Sequence, residues 1–126
     1  MANYFELPVY KKALDLAKAL TLSTQKTPRD IRFTRVTALK NAALDIAEKI
    51  AFANGRLDDA EARARYIGEC IDTLRRMEIG VRVLKDCNHI TKSGFGAIVA
   101  AEGRLGQQLQ AWQNSTLKKI RSEENV

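Results

Sequence analysis

The feature that most constrains this chain is a long apolar rhythm in its middle. Ala60, Ala64, Ile67, Ile71, Leu74, Met77, Val81 and Leu84 recur in steps of three and four. Such steps return side chains to one face of an α-helix, whereas a strand needs steps of two. An isolated helix with this stripe is marginal in water, so the stripe must bury against other helices. The preceding segment repeats the pattern through Val36, Leu39, Ala43, Ile46, Ile50 and Ala53. No stretch alternates with period two over a useful length, so no strand is expected.

Two further stripes flank these. Tyr10, Ala13, Leu14, Ala17 and Leu20, widened by Leu16 and Leu22, mark a helix that Pro8 can open, because proline lacks an N–H that would go unpaired there. Phe95, Ile98, Val99, Leu105, Leu109 and Trp112 mark a last helix, fading near Leu117 and Ile120. Thr27 and Pro28 read as cap and first turn of the second helix. Gly55 is expected to end it in the left-handed conformation. Asp58 or Asp59 is expected to cap the third helix, and Thr91 or Ser93 the fourth. Four amphipathic helices, at about 8–25, 31–53, 59–88 and 92–119, with short connections, predict an all-α fold. The expected architecture is an antiparallel up-down-up-down four-helix bundle forming a single domain over 1–126. A chain of 126 residues can bury about two-thirds of its unfolded surface in one core.

No apolar run reaches the ~18–20 residues of a membrane span, and Met1–Tyr10 lacks a basic segment followed by an apolar one. No secretory leader, no membrane association and a cytoplasmic location are therefore expected. Cys70 and Cys87 would lie about 25 Å apart on one helix, too far for a disulfide. One histidine, His89, and two distant cysteines make no zinc site, and no Glu-x-x-His pair supports a di-iron centre. His89 is expected to cap carbonyls at a helix end. Gly94-Phe95-Gly96 and the Gly103/Gly106 pair lack the strand, loop and lysine of a phosphate loop. No catalytic residue, cofactor or metal is expected.

Charge is the more informative feature: 21 Lys and Arg against 15 Asp and Glu give a formal +6. Lys26, Arg29, Arg32, Arg35 and Lys40 stand against one acid, Asp30, a net +4. Arg75, Arg76, Arg82 and Lys85 face Glu78 and Asp86, a net +2, and Arg104, Lys118, Lys119 and Arg121 meet no acid between Gly103 and Ser122. The start of the second helix and the end of the third are expected at opposite ends, spreading this charge along the bundle. Phosphate-backbone binding, salt-sensitive and not sequence-specific, is the expected use; sparse aromatic residues argue against base stacking. Small residues along Ala97, Ala100, Ala101, Gly103 and Gly106 suggest close approach of another backbone, since interior glycine costs a helix about 1 kcal/mol. Glu102, on or beside the core stripe, is expected to meet a cap or an arginine such as Arg104 of a neighbouring chain.

Phe5-Glu6-Leu7-Pro8-Val9-Tyr10-Lys11-Lys12-Ala13 resembles the opening of the four-helix-bundle proteins grouped with the 23S rRNA intervening-sequence proteins. Pro28 to Thr34 resembles their first interhelical loop, and Ala42 to Glu48 with Asn54-Gly55-Arg56 their second helix and its exit. Ile50-Ala51-Phe52-Ala53-Asn54, the arginine-rich Leu74–Leu84 stretch, and Glu102-Gly103-Arg104-Leu105-Gly106 followed by Trp112 are similar to a subgroup, the accessory variability determinant proteins of diversity-generating retroelements. Gly106 stands one residue early, and Trp112 late, for that subgroup's pattern. The resemblance implies a non-enzymatic homo-oligomer, a pentamer, that binds RNA, with DNA as a further candidate. It would assist a reverse transcriptase in mutagenic copying of template RNA. By the same resemblance Gly103, Arg104, Gly106 and Trp112 would lie at the oligomer contact. The alternative is a stand-alone intervening-sequence-type bundle, an interaction protein with no polymerase partner.

Overall fold

The computed structural model describes residues 3–125. Met1, Ala2 and Val126 lie outside the described residues, as do the parts of the leader and single-domain expectations that fall on them. Among the described residues there is no strand. Four long helices make the fold: α1 (Pro8–Ser23), α2 (Thr37–Asn54), α3 (Ala60–Asp86) and α4 (Lys92–Glu124). α1 and α3 each pack against α2 and α4, so the four close around one core. Leu16, Leu20, Ile46, Ile50, Ile67, Leu74, Met77, Leu84, Ile98, Leu105 and Leu109 are its largest fully buried side chains. The chain is an all-α four-helix bundle, and among the described residues no helix is long and apolar enough to cross a membrane.

The helix ends follow local chemistry. Pro8 opens α1. Asp59 accepts a hydrogen bond from the Ala62 N–H at 3.0 Å, and Thr91 from the Gly94 N–H at 2.9 Å, so these two of the offered caps are used. Gly55 does not take the expected left-handed conformation: its φ is −75°, and its N–H bonds back to the Ala51 and Phe52 carbonyls. Among the described residues Asn88 takes a positive φ, 60°, a conformation asparagine tolerates. α1 stops at Ser23, two residues short of the expected end, and the Thr24 hydroxyl bonds the Leu20 carbonyl at 2.6 Å. α4 runs on to Glu124, past the expected 119.

The second helix starts differently from its sequence pattern. Thr27 is buried, but its hydroxyl donates to the His89 carbonyl at 2.7 Å, tying two loops together instead of capping. One α-helical turn, Arg29–Ile31, leads into a π-helical turn, Arg32–Val36, and then α2. The cause is visible in the inward positions. Ile31 is half-buried and Val36 buried, a step of five that an α-helix cannot place on one face. The Thr37 hydroxyl and N–H both donate to the Arg32 carbonyl, closing the wide turn.

Some apolar residues placed on stripes face out. Leu22 is exposed because two residues past buried Leu20 is about 200° around the helix. Val99 and Leu117 are exposed as well. Arg63, which the stripes pass over, is buried. Its Nε donates to the Thr116 hydroxyl at 3.3 Å and its Nη1 to the Arg56 and Leu57 carbonyls, holding the α2–α3 loop against α4. Arg63→Met keeps the apolar stem and abandons those acceptors. It is expected to cost about 1–3 kcal/mol, measured as a lower denaturant midpoint.

Candidate nucleic-acid interface

The start of α2 lies beside the end of α3, not opposite it. A Cβ added at Gly80 would stand 3.0 Å from Leu39 Cδ2, so glycine is what lets Leu39 of α2 come this close. Towards the other end, the Cys70 thiol donates to the Ile46 carbonyl at 3.6 Å, and Phe52 meets Tyr66. Arg35 and Arg76 consequently line one groove between α2 and α3, of about 540 Å³, with Leu39, Thr73, Met77 and Gly80. The Thr27–His89 bond brings the Lys26–Arg35 segment to the end of the bundle where α3 gives way to α4. Two of the three basic stretches thus converge, where the sequence suggested spreading. Lys118 and Lys119 lie at the far end, with Lys119 Nζ 3.4 Å from the Leu57 carbonyl.

The structure also sorts the expected cations by whether an acid already holds them. Arg75 is paired with Glu78 at 2.7 Å, and Arg82 with Asp86 at 3.8 Å. Among the described residues no carboxylate pairs with Lys26, Arg29, Arg32, Arg35, Lys40, Arg76, Lys85, Lys118 or Lys119. Arg32 reaches the Gln25 carbonyl, and Arg76 the Thr73 hydroxyl. Arg29 lies over the exposed ring of Phe33 at 5.3 Å, a residue the charge pattern did not single out. Its only sequence signal is its place inside the five-residue step between Ile31 and Val36.

A second groove, of about 1010 Å³, runs between α3 and α4, with Ile79, Val83, Phe95 and Val99 among its lining. Arg82 and Lys85 stand over Phe95 at 5.9 and 5.3 Å. Glu102 also lines it, only 4% exposed, with Oε2 lacking a hydrogen-bond partner among the described residues. Burial, and then the nearby Glu78 charge, push its carboxyl up to about 7. No arginine of this chain meets it: Arg104 is exposed, two positions on and turned away around the helix. Gly96 and Gly103 have open space where a Cβ would stand, so among the described residues no segment makes the close approach their small size suggested. Gly106 lies against Leu74, and Trp112 is half-buried against the core.

The remaining candidates are the two cysteines and the histidine. Both cysteines are free, Cys87 exposed and Cys70 buried with its thiol pushed up to about 12 by burial. His89 engages through its backbone, and its imidazole makes no hydrogen bond among the described residues. No group of three His, Cys, Asp or Glu side chains gathers as a metal site among the described residues.

Fold and site together define an all-helical bundle with a concentration of unpaired cations at one end. No known family model matches the chain. No curated protein matches it either.

Proposed function

We propose that this chain is a non-enzymatic, nucleic-acid-binding accessory protein of a diversity-generating retroelement. In this reading it assists the element's reverse transcriptase in mutagenic copying of template RNA. The observation that carries the nucleic-acid part is the run Lys26, Arg29, Arg32, Arg35 and Lys40, unpaired by any acid and joined by Arg76 across the α2–α3 groove. Unpaired surface cations are surrounded by mobile counterions, and a phosphate backbone that displaces those ions gains their entropy. The polymerase part rests on the resemblance of the Phe5–Ala13, Leu74–Leu84 and Glu102–Trp112 segments described above.

The accompanying architecture is an antiparallel up-down-up-down bundle, assembled as a homo-oligomer, a pentamer by resemblance. The pairings Leu39 with Gly80, Ile46 with Cys70 and Phe52 with Tyr66 support the antiparallel course, since one number rises as the other falls. The open Gly96 and Gly103 face supports a contact with another chain.

Two measurements test this. Filter binding of single-stranded RNA between low and moderate salt should give a steep loss of affinity with salt, and salt-independent retention would sink the phosphate reading. A reverse-transcriptase gene and an imperfect repeat beside this gene, with co-purification of the two proteins, separate the accessory role from a stand-alone bundle. Their absence sinks the accessory role. For the assembly, Gly103→Ala should raise the subunit's stability by about 1 kcal/mol, because alanine is the better helix former and has room. It should also weaken self-association in light scattering; unchanged association would remove Gly103 from the contact.

A further inference from the structure

Phe33 is the outlier among the chain's four phenylalanines. Phe5 packs against the rings of Tyr4 and Tyr10, Phe52 against Tyr66, and Phe95 against the core. Phe33 touches no other ring among the described residues and is 67% exposed. Leaving that much apolar surface in water costs free energy that a solvated lysine or glutamine at this position would avoid.

The local backbone keeps it there. The π-helical turn inserts one extra residue between Ile31 and Val36, so Arg32, Phe33, Thr34 and Arg35 are all exposed in succession. A plain α-helix packed on a core would turn one of four consecutive residues inward. Thr34 and Thr37 fix the turn through hydroxyl bonds to the Asp30 and Arg32 carbonyls at 2.9 and 2.8 Å. π-turns of this kind are kept at a cost in hydrogen-bond geometry and concentrate at functional sites. Arg29 stands 5.3 Å from its centroid, and Arg32 and Arg35 lie one and two positions away in the same exposed run, against the single acid Asp30. An exposed aromatic ring beside a guanidinium, in a run of arginines that no acid neutralises, is an arrangement that takes an unstacked nucleobase while its phosphates meet the cations.

We infer that Phe33 is a base-stacking residue, so this end of the bundle binds single-stranded nucleic acid in preference to a duplex. The inference rests on the nucleic-acid reading above and reverses the sequence expectation that base stacking has no support. A duplex keeps its bases stacked on each other and offers Phe33 nothing, whereas a single strand offers a base at little cost.

The test compares Phe33→Ala and Phe33→Tyr with the unaltered chain by fluorescence anisotropy. The probes are a short single-stranded oligouridylate, the same strand with abasic sites, and duplex RNA with the same number of phosphates. Phe33→Ala should weaken binding of the base-bearing strand about 5- to 100-fold, and Phe33→Tyr should restore it. Both the abasic strand and the duplex should be indifferent to the substitution, and the salt dependence should keep its slope because no charge has changed. Because Phe33 is outside the core, thermal unfolding of both variants should match the parent. If the parent binds every strand and Phe33→Ala changes none of them, stacking is wrong while phosphate binding stands. An equal loss on all three probes likewise overturns stacking, pointing to a disturbed arginine cluster. If the parent binds no strand at low salt, the nucleic-acid reading itself fails, and the stacking inference falls with it.

Discussion

Replacing Arg29, Arg32 and Arg35 together with glutamine is expected to weaken single-stranded RNA binding about a hundredfold at low salt. The salt dependence should flatten by about 2 in the slope of log affinity against log salt, since each phosphate contact on a single strand contributes about 0.7. These three differ from Arg75 and Arg82 in that no carboxylate among the described residues holds them. Arg75 and Arg82 already have Glu78 and Asp86 beside them. A phosphate must compete with those acids, and the pair is close to neutral at a distance. The same measurement on Arg75→Gln with Arg82→Gln should therefore show a much smaller loss. Equal losses in the two variants would mean that phosphates meet both surfaces alike and that the acids do not screen. Folding is not at stake in either variant, since all five arginines are exposed.

The reason this preference needed the structure is physical. Helix number, the four core stripes and two of the caps are local properties, set by period and by side-chain oxygens near chain turns. Val36, Leu39, Ala43 and Ile46 are buried as their spacing requires. Which cation is neutralised is a matter of rotamers and of neighbours three or four residues on. Glu78 and Asp86 are visible in the sequence at helical spacing from Arg75 and Arg82, so that part was within reach. The π-turn was not: its signal is one unusual five-residue interval, and the two threonines that stabilise it are ordinary helix residues elsewhere. Arg63 was missed for a related reason. Its position between Ala60 and Ala64 reads as solvent-facing, and only the path of the Arg56–Leu57 loop and the end of α4 makes it interior. The start of α2 and the end of α3, expected at opposite ends, are neighbours, because Leu39 packs closely on Gly80.

Glu102 should make the protein's stability depend on pH in the sense opposite to that of a salt-bridged carboxylate. Its folded-state carboxyl titrates at about 7, above the ordinary value of 4.5 that it regains on unfolding. The folded state therefore binds the proton more tightly. Below about pH 4.5 both states are protonated and the group is neutral in its effect. As the pH rises the unfolded chain ionises first, and stability falls until the folded carboxyl has ionised too, above about 7. The full loss is about 3 kcal/mol, from roughly two and a half pH units at 1.36 kcal/mol each. Glu102→Gln removes the titration. Denaturant midpoints of parent and variant should diverge between pH 5 and 8, with the variant relatively more stable at the higher pH. At low protein concentration a constant difference across that range would overturn this account of the isolated subunit. If the divergence appears at low concentration and disappears at high concentration, a cation from another chain has entered the α3–α4 groove and holds the carboxylate ionised. A buried carboxylate that is costly alone and stabilising when paired ties folding to assembly. A neutral glutamine there should relax that link, leaving a subunit that is sturdier alone and less inclined to associate.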